Sequence, residues 1–136
     1  MADWRSLRDH VARSYHVGVD ERERFENPEW DGLSVWVATS RGQRLVALLP
    51  RKDYNDDWYL RVSAPIATTG SLDPVGLLEW SGRSAAGGLL MAEGQLFYSR
   101  AYPLEWLDLP RIDTALTDVA GTSASLETML AEGGHI

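Results

Sequence analysis

The chain holds three histidines, His10, His16 and His135, and no cysteine. Thiolate nucleophiles, disulfides and thiolate zinc sites are therefore excluded. General-base or metal-binding work would fall to the histidines, and their spacing does not suit it. Six positions separate His10 from His16, which on a helix puts them on different faces, and His135 stands next to the last residue. No H-E-x-x-H occurs. The run Asp53-Tyr54-Asn55-Asp56-Asp57 opens like a calcium loop. Such a loop needs a glycine at its sixth position and a bidentate glutamate at its twelfth, and those positions hold Trp58 and Ala64. A polar hairpin turn is the better reading.

Serine chemistry fares no better. Ser81-Gly82-Arg83-Ser84 and Gly121-Thr122-Ser123 are not G-x-S-x-G, and no signature places a histidine beside them. The stretch from Gly82 to Gly88 is neither a P-loop nor G-x-G-x-x-G, and it lacks the lysine of a phosphate site. Carboxylate pairs such as Glu26 with Glu29 or Asp56 with Asp57 read as solvated acidic surface. The expectation is a protein without enzymatic activity, cofactor or metal. A hydrolase would require a nucleophile or metal set that the chain does not spell.

The elements that would position a site are clearer. The 136 residues, 15.2 kDa, make one domain that can bury a core without staples. The spacing of Trp4, Leu7, Val11 and Tyr15 predicts an amphipathic helix over 3–16, capped by Asp3. Residues 18–31 are polar, carry Pro28 and read as a long acidic connector tethered by Phe25 and Trp30. Strands are predicted over 33–38, 44–49 and 58–64, with a glycine turn at 40–43 and a polar turn at 51–57. Asp73-Pro74 starts a short helix carrying Leu77, Leu78 and Trp80 and stopping at Gly82. A second hairpin turns at Glu93-Gly94, which would set Leu90 opposite Phe97 and Leu89 opposite Tyr98. Leu109, Ile112, Leu116, Val119, Leu126 and Met129 predict a final helix capped by Asp108 and ended by Gly133, with a bend or loose turn at Gly121. The order α-β-β-β-α-β-β-α defines an α+β domain: one antiparallel sheet of about five strands with helices on a face.

That sheet is too apolar for one buried face. Opposite Leu33, Val35 and Val37 stands Trp36, and both sides of the second strand are apolar, from Leu45 to Leu49. Tyr59, Leu90 and Phe97 add to the surplus. Two explanations stand: a helix crossing behind the sheet, or a protein interface, most simply a homodimer. The second is favoured, with Trp36, Val46, Leu48, Tyr59, Leu78, Trp80, Leu90 and Phe97 as candidate partner or dimer contacts. The alternative function is a small-ligand or sensory domain, with a pocket between sheet and connector lined by Trp30 and Trp58.

The net charge is −7, split as −3 over residues 1–31, +1 over 32–101 and −5 over 102–136. Acidic ends repel phosphate backbones and anionic lipid, so neither nucleic acid nor membrane is an expected partner. No stretch approaches the roughly 18 apolar residues of a membrane span, and Met1 to His10 lack an apolar leader core, so a cytoplasmic location is expected.

The order of elements resembles the type III secretion chaperone-like fold, and in particular the YbjN-like family of small acidic bacterial proteins. The resemblance is carried by the opening helix around Trp4-Arg5-Ser6-Leu7 and the hairpin Val35-Trp36-Val37 to Leu45-Val46-Ala47-Leu48. It continues through Tyr59-Leu60-Arg61-Val62-Ser63, the short helix from Asp73, the hairpin Gly88-Leu89-Leu90 to Gly94-Gln95-Leu96-Phe97, and the final helix. It covers nearly the whole chain as a pattern without a diagnostic motif. The acidic connector 18–31 and Gly121 depart from it. The resemblance implies a non-enzymatic homodimer holding an extended client segment on apolar grooves and sheet edges.

Overall fold

Asp3 opens the first helix, α1 (Trp4–Ser14), with its Oδ1 accepting the Ser6 N–H at 2.8 Å. That cap satisfies one of the orphan donors of the first turn. The computed structural model describes residues 3–20, 32–67, 79, 81, 87–92 and 94–131. Six strands follow α1: β1 (His16–Asp20), β2 (Leu33–Thr39), β3 (Gly42–Lys52), β4 (Trp58–Ile66), β5 (Gly88–Ala92) and β6 (Gln95–Pro103). A 3-10 turn at Leu104–Trp106 leads into a long helix, α2 (Leu109–Ala131). The strands form one antiparallel sheet in the order β1-β2-β3-β4-β6-β5, an α+β architecture.

Local chemistry sets the turns. Gly42 takes φ +98° beside the first hairpin, where Thr39 Oγ1 donates to the Gly42 carbonyl at 2.6 Å. Gly94 takes φ +78° in the second hairpin, and the ladder pairs Leu90 with Phe97 and Leu89 with Tyr98, the register the Glu93-Gly94 turn predicts. Asp53 closes the β3–β4 turn: its Oδ1 accepts from the Asn55 and Asp57 N–H groups at 2.8 and 3.0 Å. The D-x-N-x-D run is thus a polar hairpin turn whose leading carboxylate is engaged by backbone.

Both described helices pack on one face of the sheet. Trp4, Leu7 and Val11 of α1 and Ile112, Leu116, Val119 and Leu126 of α2 join Leu33, Val35, Val46, Leu48, Leu60, Val62 and Leu96 in a single core. Each such aliphatic side chain withdrawn from water contributes on the order of 1.5–3 kcal/mol. Asp108 caps α2, its Oδ1 accepting the Arg111 N–H at 2.9 Å. Asp113 ties the helices together, accepting from Tyr15 Oη at 2.9 Å and meeting His10 Nε2 at 3.0 Å.

Four expectations change. The sheet has six strands, not about five, because residues 16–20 pair with β2. The first helix therefore ends at Ser14, and Gly18 to Asp20 of the expected connector are strand. Strand β3 runs on to Lys52, so Arg51 and Lys52 belong to the sheet and not to the turn. Helix α2 passes Gly121 without a break, since the packing of Leu116, Val119 and Leu126 on either side outweighs the ~1 kcal/mol glycine cost. Residues 21–31, Gly133 and the helix expected from Asp73 lie outside the described residues, apart from Glu79 and Ser81, which are helical.

Candidate protein-binding surface

Strand alternation places a second set of side chains on the face away from α1 and α2, and the register shows how they line up. Ser34, Ala47, Ser63, Ser99 and Gly88 stand opposite one another across five neighbouring strands. All are small, so they floor a trough across the sheet whose β5 end is covered by Ser81: a Cβ at Gly88 would lie 2.8 Å from its Oγ. One wall, two positions along each strand, is Trp36, Leu45, Pro65, Phe97 and Leu90. The other is Leu49, Arg61 and Ala101, backed by Arg51, Tyr59 and Pro103. The floor is polar at its centre: the Ser63 and Ser99 hydroxyls lie 2.9 Å apart, both buried.

Trp36 is the most exposed large apolar group of this face, at 39 %. Gly18 on β1 makes room for it. A Cβ at Gly18 would come within 3.3 Å of Trp36 Nε1 and 2.5 Å of Leu45 Cδ1, so both side chains lie across that glycine. Leu45, Leu49, Tyr59, Leu90 and Phe97 are half-buried. A sheet packed on one side ordinarily turns polar residues outward. Here the outward row is mostly apolar.

The charge pattern is equally uneven. Strands β2 to β6 contain Arg44, Arg51, Lys52, Arg61 and Arg100 and no Asp or Glu. On the helix side the two arginines are answered by α2: Arg44 pairs with Glu127, and Arg100 Nη1 lies 3.7 Å from Asp118 Oδ2. Burial pushes the Glu127 carboxyl up, but bonds from Arg44 and the Ala67 N–H outweigh it and hold it below the ordinary glutamate range. On the outer face Arg61 donates to Ser99 Oγ at 3.3 Å and lies over the Tyr59 ring at 6.0 Å, with no carboxylate against it among the described residues.

The sequence-predicted contacts separate by strand parity. Trp36, Tyr59, Leu90 and Phe97 fall together on this face. Val46 and Leu48 do not: they are fully buried in the core under the helices, paired with Val35 and Leu33. They were expected at the interface because both sides of β3 are apolar; the register assigns its outward side to Leu45, Ala47 and Leu49 instead. Leu78, Trp80 and Trp30 lie outside the described residues. Trp58 is half-buried at the start of β4 with Lys52 Nζ 5.0 Å above its ring. Leu45, Leu49 and Arg61 were missed; Arg61 stands two residues on from Tyr59, while Leu45 pairs with Trp36 and Leu49 with Arg61, a relation readable only once the hairpin register is known.

Among the described residues no three His, Asp or Glu side chains cluster as a metal would need, and no helix is long and apolar enough to cross a membrane. No family model, curated protein or solved structure matches the chain.

Proposed function

We propose that the chain is a non-enzymatic, chaperone-like protein-binding module of the cytoplasm that acts as a homodimer and holds an extended partner segment on the face of its sheet away from α1 and α2. The observation that carries this reading is the outward trough. A run of small side chains is walled by Trp36, Leu45, Phe97 and Leu90 where a sheet of this kind would otherwise turn polar. The order read from the sequence resembles that of type III secretion chaperones and YbjN-like proteins, to which the structure adds strand β1.

The face, and not an edge, holds the partner. Edge strand β1 is five residues long and carries a bulge between Val17 and Val19. At the other edge, the Leu89 N–H of β5 donates to Ser81 Oγ at 3.2 Å. Both devices blunt strand addition. Acidity also sets the partner class, since a chain of net charge −7 is poorly suited to polyphosphates.

The test is binding of extended, strand-forming peptides by the wild type, by Trp36→Glu, and by Leu109→Glu. Leu109 is equally exposed, at 41 %, on the opposite helix layer. Trp36→Glu should weaken binding about 30-fold, the ~2 kcal/mol of an interface anchor, while melting as the wild type does. Leu109→Glu should bind normally. Unchanged binding by Trp36→Glu overturns the assignment of the face.

A further inference from the structure

We infer that Lys52 is an acylation site: its ε-amine accepts a small acyl group from a thioester, and the transfer uncovers the Trp58 ring beside it. The chain carries 13 Lys and Arg side chains, and Lys52 is its one lysine. Arginine does the other cationic work of the described residues. Arg44 and Arg100 meet the carboxylates of α2, and Arg61, Arg100 and Arg111 lie over the rings of Tyr59, Tyr102 and Trp106. A guanidinium stacks on an aromatic ring at least as well as an ammonium does, and it keeps its charge throughout. What lysine alone adds at such a place is an amine whose neutral form makes amide bonds.

The fold presents that amine. Lys52 is the last residue of β3 and pairs with Trp58, the first of β4. The pair ends an inward row that continues through Pro50 with Leu60 and Leu48 with Val62, all four buried. At this rim of the core Lys52 is exposed and Trp58 half-buried, and Nζ lies 5.0 Å from the centre of the ring. The turn beyond them is closed by backbone. The Asp53 N–H donates to the Asp57 carbonyl at 3.0 Å, and the Asp56 N–H to the Asp53 carbonyl at 3.2 Å. The two strand ends are therefore held together, and amine and ring keep their places.

In the transfer the neutral amine adds to the thioester carbonyl carbon; the N–C bond forms and the C–S bond breaks. Of the two protons the ammonium gives up, one ends on the departing thiol and one in solvent. Nothing is oxidised or reduced. The resulting amide is uncharged, so the chain becomes one unit more negative than −7, and the ring loses the cation held against it. The hairpin end then sets Asp53, Asp56 and Asp57 against Arg51 alone. Acylation thus changes both the charge and the apolar exposure of one end of the sheet.

The experiment treats the full folded chain, and the same chain unfolded in guanidinium chloride, with acetyl-coenzyme A. Mass spectrometry of proteolytic peptides reads acetylation at Lys52 apart from the terminal amine. The folded rate should lie within about fivefold of the unfolded rate, since an exposed amine needs no opening of the fold. Acrylamide quenching of the Trp58 share of the fluorescence, taken as wild type minus Trp58→Phe, should rise about twofold on acetylation. Lys52→Gln should show the raised quenching without reagent. Lys52→Arg should keep the ring covered and take no acetyl group at that position. A folded rate more than about fivefold below the unfolded one overturns the site. Quenching that acetylation leaves unchanged overturns the uncovering of Trp58.

Discussion

Glu127→Gln and Arg61→Gln, made separately, distinguish an arginine contact that holds the fold from one that does not. Glu127 on α2 accepts from the Arg44 guanidinium on β3 and from the Ala67 N–H, at 2.6 Å, just past the end of β4. The Arg44 and Glu127 side chains keep 14 % and 24 % of their exposure, so solvent screens the pair only in part. Breaking a fully buried pair costs about 3–5 kcal/mol and an exposed one under about 1 kcal/mol. Between those limits, and with an amide still filling the site, Glu127→Gln should cost about 1.5–2 kcal/mol. Arg61 gives up a hydroxyl contact at 3.3 Å and a 6.0 Å approach to the Tyr59 ring, so Arg61→Gln should stay within about 0.5 kcal/mol of the wild type. The pH dependence follows from the depressed Glu127 carboxyl. A folded-state value below the unfolded one gives stability that is complete above the unfolded value and is lost as pH falls through the folded value. The gap between wild type and Glu127→Gln in urea unfolding should therefore be constant near neutrality and close as the pH drops below the ordinary glutamate range. A gap independent of pH, or an Arg61→Gln variant as damaged as Glu127→Gln, refutes the reasoning.

Three further outcomes are expected. Gly121→Ala should stabilise the chain by about 0.5–1 kcal/mol, raising Tm by roughly 2–5 °C in calorimetry, because nothing lies within 4 Å of the added Cβ in an unbroken helix. Asp113→Ala should cost about 1–2 kcal/mol in urea unfolding, since it strips the Tyr15 and His10 contacts that join α1 to α2. Tyr15 has its phenol pushed from 10.0 to about 12, first by burial and then by the Asp113 bond. Its contribution is present below pH 10 and lost as pH rises through 12, so melts over that window should show the wild type losing stability relative to Tyr15→Phe; parallel curves would count against the assignment.

Much of this fold is legible residue by residue. Asp3 and Asp108 cap as their positions predict, and the two-residue Glu93-Gly94 turn sets the β5–β6 register by itself. The surplus of apolar residues on the sheet is also visible in the sequence. Its assignment to faces is not, because β3 is apolar on both sides and one step of register exchanges Val46 and Leu48 for Leu45, Ala47 and Leu49. Strand β1 is hidden for a different reason: His16 to Asp20 continue the spacing of α1 into a polar stretch, and only pairing with β2 makes them a strand.

The most direct test of the central claim is the mass of the purified chain by light scattering after size-exclusion chromatography, across a range of concentrations. A homodimer gives a mass of twice 15.2 kDa that persists on dilution to low micromolar. A chain that stays at 15.2 kDa at every concentration would contradict it.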